Sequence, residues 1–154
     1  MAINWNELDK AIGIDSIISE ELENPGGDDY GDFPEVPFGN YDVEINKMEV
    51  GVAKSGNPKA VIWFKILAGE YKGSIIFMNQ VLTMRFHFGI VNKILRDLDS
   101  GIPDEDIKIM PLKDYNDLML DIFEAIDGKL EYGLAYGEDK KGYNTFEITD
   151  VYEV

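Results

Sequence analysis

From Tyr41 to Asn46 apolar and polar side chains alternate, with Tyr41, Val43 and Ile45 set against Asp42, Glu44 and Asn46. A period of two is that of a half-buried β-strand. The apolar phase then slips by one residue to Met48, Val50 and Val52. Such a slip predicts a β-bulge that bends one long strand around a corner. Lys54-Ser55-Gly56-Asn57-Pro58 reads as a turn. A second strand, Lys59 to Leu67, places Ala60, Ile62, Phe64 and Ile66 on one face and Lys59, Trp63 and Lys65 on the other. Burying an unpaired ammonium is costly, so the face with the lysines is the outer one and Trp63 goes with it. After a turn over 68–73, the third strand, Ser74 to Leu82, is apolar on both faces. Its phase stays open: either Phe77 and Asn79 or Met78 and Gln80 point outward, and the core is the default place for Phe77.

The period then changes to that of helices. Phe86, Ile90, Val91, Ile94, Leu95 and Leu98 form one stripe that Gly101 and Pro103 stop. A polar connection over 99–113 leads to a second stripe, Tyr115, Leu118, Met119, Ile122, Phe123 and Ile126, with Asp114 as its expected N-cap and Gly128 past its end. Leu130, Tyr132, Leu134 and Tyr136 alternate as a fourth strand. A turn over 137–142 precedes a fifth, with Asn144, Phe146 and Ile148 inward. Ahead of all this, residues 1–23 read as two short helical pieces broken near Gly13. Residues 24–37, NPGGDDYGDFPEVP, are dense in Pro, Gly and Asp and read as a linker. Asp28, Asp29 and Asp32 lack the glycine and glutamate spacing of an EF-hand loop, so a solvated acidic linker is the expectation there.

The division is therefore an acidic N-terminal extension, 1–38, and a mainly β domain with helices, 39–154, in the order β-β-β-α-β-β. A five-stranded barrel with a helical insertion between strands three and four is the OB-fold, whose ligand surface lies on strands two and three and on the loops 1–2 and 4–5. Cationic and aromatic residues fall on those elements. Lys54 and Lys59 flank loop 1–2, Trp63 and Lys65 lie on strand two, and Tyr71 and Lys72 lie in loop 2–3. Lys140, Lys141 and Tyr143 lie in loop 4–5. Cations along a backbone and aromatic faces for bases are what single-strand binding requires. Each residue also has a plainer role. Trp63 is a core residue if the strand phase is inverted, Tyr71 and Tyr143 can simply cover the core, and the lysines can be solvated turn residues.

Charge changes the picture by its distribution. The chain of 154 residues has a net charge of −16, which by itself argues against phosphate contacts. Residues 1–38 carry −9 and 97–154 carry −11, whereas 47–96 carry +6. The cations are thus concentrated on the expected ligand-bearing strands. There is no cysteine, which removes disulfides, thiolate metal sites and thiol nucleophiles. The single histidine, His87, has no partners for a catalytic set, and a structural role at a helix start is expected. No phosphate-binding glycine motif or HExxH is present. Thirty carboxylates make close pairs inevitable, but no spacing picks out a two-metal set. The expectation is a protein that is not an enzyme and needs no cofactor or metal. The opening residues lack a secretory signal core and no apolar run is long enough to span a membrane, so the cytoplasm is the expected location.

Four blocks, NWNELDKAI, GNYDVEI, KSGNPKAVIWFKILAGEYKGSIIFMNQVLT and DGKLEYGLAYGEDKKGYNTFEITDVYE, resemble a family of phage-encoded proteins long catalogued only as a domain of unknown function. Its members sit in replication and recombination regions of phages and prophages and are regarded as single-stranded-DNA-binding proteins. The resemblance covers nearly the whole chain and brings with it no catalytic signature and no binding-residue motif. It implies a protein of the bacterial host's cytoplasm whose partner is single-stranded DNA. Replication or recombination proteins of phage or host would meet its acidic segments. A homo-oligomer is compatible with this reading and membrane contact is not expected. The alternative is that acidity itself is the function, in an interaction module or DNA mimic that occupies a nucleic-acid-processing partner.

Overall fold

The computed structural model describes residues 36–154. The expected N-terminal helical pieces, most of the linker and Asp28, Asp29 and Asp32 lie outside the described residues. Five strands, β1 (Gly39–Val52), β2 (Pro58–Ile66), β3 (Ile75–Val81), β4 (Leu130–Glu138) and β5 (Asn144–Glu153), form one antiparallel sheet in the order β3-β2-β1-β4-β5. Two helices, α1 (Arg85–Asp97) and α2 (Leu112–Ile126), separate β3 from β4. No helix among the described residues is long and apolar enough to cross a membrane.

β1 explains the order. Its first residues, Gly39 to Val43, pair with β4, and Val43 to Val52 pair with β2. The register slips between Ile45 and Lys47, where the change of hydrophobic phase predicts a bulge. Val43, Ile45, Met48 and Val50 are consequently all buried although their spacing is not uniform. Val52, expected to continue this row, is exposed at the turn.

The sheet curls strongly. Phe64 on β2 and Phe146 on β5 are not on neighbouring strands, yet their rings stack 5.9 Å apart, and Phe146 stacks in turn on Tyr136 at 5.5 Å. The curl does not close. Among the described residues β3 and β5 are the two edges of the sheet and no ladder joins them, so where a closed barrel was expected there is an open, curled sheet with a seam between these edges. α1 touches both edges and α2 packs on β1. Two buried tyrosines tie these layers together. The Tyr132 hydroxyl on β4 donates to the Leu98 carbonyl at the end of α1 at 2.7 Å, and that of Tyr115 on α2 donates to Asn92 Oδ1 on α1 at 2.5 Å. The Arg96 guanidinium donates to the Asp104 and Ile107 carbonyls and fastens the connection between the helices.

Both helices differ in detail from their expected patterns. α2 starts at Leu112 after Pro111, so Asp114 lies inside the first turn instead of capping it. Proline fixes an extended approach and has no N–H to satisfy, which suits it to a helix entry. On α1 the buried stripe is Phe88, Val91, Ile94, Leu95 and, just past its end, Leu98, while Phe86 and Ile90 are 51% and 43% exposed. A helix this close to a sheet edge buries only the sector that reaches the core, and Phe86 and Ile90 lie beyond that sector.

Burial holds the Tyr115 and Tyr132 hydroxyls above the ordinary pKa of 10. An unfolded chain ionises these groups near pH 10, whereas the folded chain resists, so their contribution is full below pH 10 and falls as pH rises beyond it. Tyr132→Phe removes one such group and leaves the Leu98 carbonyl buried without its donor. Urea titrations should show a loss of about 1–3 kcal/mol at neutral pH and a shallower decline above pH ~10 than the wild type.

Candidate nucleic-acid interface

The outer face of β1, β2 and β3 is read off the register. Lys47, Trp63 and Phe77 are cross-strand neighbours in one row, and Glu44, Lys65 and Ile75 form the next. This settles the open phase of the third strand: Ile76 and Met78 are buried, while Phe77 and Asn79 face outward with Trp63. Phe77 is thus half-buried on the outer face instead of lying in the core. The Trp63 and Phe77 rings meet edge to face at 5.1 Å, and Lys47 Nζ lies 4.5 Å from the Trp63 ring centroid. Lys47 also lies 3.6 Å from Glu49. Neither Lys47 nor Phe77 is among the residues the sequence nominated, because a lysine's place over a ring depends on cross-strand register.

Lys65 is half-buried on this face, opposite Glu44. Lys59 is not a solvated turn lysine but a buried one, opposite Gly51. Its Cε lies 4.0 Å from where a Gly51 Cβ would stand, an ordinary contact distance, so the lysine's aliphatic stem lies along β1 at this residue. Lys54 is exposed in the β1–β2 turn. Lys72 is exposed in the β2–β3 turn, and Tyr71 there is half-buried with its ring 6.4 Å from that of Tyr41. Tyr71 therefore covers the margin of the core.

Lys140, Lys141 and Tyr143 are exposed in the β4–β5 turn. Asp139 Oδ1 accepts from the backbone N–H groups of Lys141 at 2.8 Å and Tyr143 at 3.0 Å, and Gly142 adopts a φ of +89° that a side chain would disfavour. The turn brings Lys141 and Tyr143 to the seam. There a groove of about 460 Å³ runs between the end of β3, the start of β5 and α1. Asn79, Gln80, Phe86, Lys93, Lys141 and Tyr143 are among its walls. Trp63, Lys65 and Lys140 do not line it. Lys93 bonds Asp97 at 2.8 Å, and that hydrogen bond and charge raise its pKa above the ordinary lysine value, keeping it cationic.

Residues 27–102 match the model of a family described as "Protein of unknown function (DUF669)". The match spans β1, β2, β3 and α1, and so includes the Lys47–Trp63–Phe77 row and one wall of the groove. It does not reach the β4–β5 turn. No curated protein matches the chain.

His87 has the structural place expected of it. It is buried in the first turn of α1, and its Nδ1 accepts from the backbone N–H groups of Thr83 at 3.2 Å and Met84 at 3.1 Å. Two donors on Nδ1 put the ring proton on Nε2. The histidine thus fixes the chain's exit from β3 into the helix that walls the groove. His87→Ala deprives both amides of their acceptor, and thermal melts should report a loss of about 1–2 kcal/mol.

Proposed function

We propose that this protein binds single-stranded DNA and coats and protects it during phage replication and recombination. The observation that carries this reading is the outer-face row of β1, β2 and β3, where Trp63 and Phe77 stand together with Lys47, and Lys65 occupies the next row. Aromatic faces for bases beside ammonium groups for phosphates are the two requirements of sequence-tolerant single-strand binding. The phage setting rests on the sequence resemblance.

The strand order supports an OB-fold. Bringing β3 to β5 would complete a five-stranded barrel in which β1 bonds both β2 and β4, with the helices inserted between β3 and β4. On such a barrel the Trp63 row lies on strands two and three, the ligand surface of the fold.

Lys47 has a part in the exchange. Its ammonium covers a Trp63 face that a base would use. A cation–π contact at an exposed site is worth about 0.5–1 kcal/mol, and stacking a base about 1–3 kcal/mol, so a base displaces the lysine favourably. The displaced ammonium stays beside the strand and can meet its phosphate.

The acidic-module reading draws on α2, whose Asp114, Asp117, Asp121 and Glu124 are all exposed around Leu120. The two readings differ in what the lysines do. In a Trp5→Phe background, fluorescence of Trp63 should be quenched by a dT oligonucleotide, with affinity falling as salt rises and duplex DNA binding more weakly. Trp63→Ala should cost about tenfold or more in affinity, and Lys65→Glu should weaken binding as well. No binding to any single strand at low salt would refute the proposal and favour the acidic module.

A further inference from the structure

The seam groove has features that the β2–β3 face does not explain. α1 leaves Phe86 and Ile90 exposed on one wall, and Tyr143, 42% exposed, stands on a turn tied in place by Asp139. Lys93 and Lys141 supply two cations to the same walls of an otherwise acidic chain. The one carboxylate among the lining residues, Asp139, already accepts two backbone amides. Gln80 and Asn144 add side-chain amides, which both donate and accept and so suit the edge of a base. The volume of about 460 Å³ is in the range that takes a small organic group.

The groove is also continuous with the Trp63 face. Asn79 follows Phe77 by two residues on the same side of β3 and is a wall of the groove. A strand lying across β2 and β3 reaches the groove at Asn79.

From this we infer that the seam groove is a second nucleotide site, taking one base of a single strand against Phe86 and Tyr143 and its phosphate at Lys93 and Lys141. The inference rests on the single-strand reading but uses residues distinct from those that carry it. An extended peptide added along the outer edge of β3 or β5, which no strand among the described residues pairs, would instead be held by backbone hydrogen bonds. It would be indifferent to the Phe86 ring and the Lys141 charge.

The test is fluorescence anisotropy of a labelled dT oligonucleotide titrated with the full chain and with Phe86→Ala, Tyr143→Ala, Lys141→Ala and Trp63→Ala. Phe86, Tyr143 and Lys141 are exposed, so the melting temperatures of their variants should stay at the wild-type value. Phe86→Ala and Tyr143→Ala should each weaken binding by about tenfold, and Lys141→Ala should lower the slope of log affinity against log salt by about 1. If Trp63→Ala weakens binding while the three groove variants bind as the wild type, the groove site is refuted and the single-strand reading stands. If the wild type binds no strand at low salt, both fall together.

Discussion

A single strand that serves two partners holds this architecture together. β1 bonds β4 through its first residues and β2 through the rest, so the two halves of the sheet meet in this one strand, and it bends between them. The bend is the bulge at Asn46, between Ile45 and Lys47. One extra residue both turns the strand and resets the alternation, so the buried row passes from Ile45 to Met48 without turning a polar side chain into the core. The same reset puts Lys47 opposite Trp63. The cation over the indole is thus a local result of the feature that shapes the whole sheet.

The helices compensate for what the sheet leaves open. Where a closed barrel would join its last two strands by backbone hydrogen bonds, the described sheet stays open and has α1 against both edges. Tyr132 and Tyr115 fasten that helix to β4 and α2 by hydroxyls that burial keeps protonated. His87 sets the direction in which α1 leaves β3. The groove is what remains when a helix, and not a ladder, spans the gap.

Much of the fold was legible in the sequence because alternation and charge constrained it. The slip after Ile45 marked the bulge, and the lysines at 59 and 65 settled the outer face of β2 even though Lys59 turned out to be buried over Gly51. β3 was not legible in this way, since Ile75, Ile76, Phe77 and Met78 carry no polar residue to mark a face. Only the ladder to β2 assigns Phe77 to Trp63. On α1 two overlapping stripes satisfied a helical period, one through Phe86 and Ile90 and one through Phe88 and Val91. The available signal was Lys93, which continues the Phe86–Ile90 ridge at the next turn and marks it as a solvent-facing one. The groove was beyond sequence reasoning because it depends on which two strands of the described sheet have no ladder on their outer edge. Sequence reasoning expected the β4–β5 lysines to meet a ligand together with Trp63, and the structure adds that Lys141 lines the seam groove.

The seam also has a mechanical meaning. A tube slit along its length resists twisting far less than an intact one, because its two lips can slide past each other. Here the lips are β3 and β5, and among the described residues α1, not a ladder, lies against each of them. Every backbone ladder from β3 round to β5 can survive such a shear. The sheet can therefore change its pitch while keeping the hydrogen bonds that hold it folded.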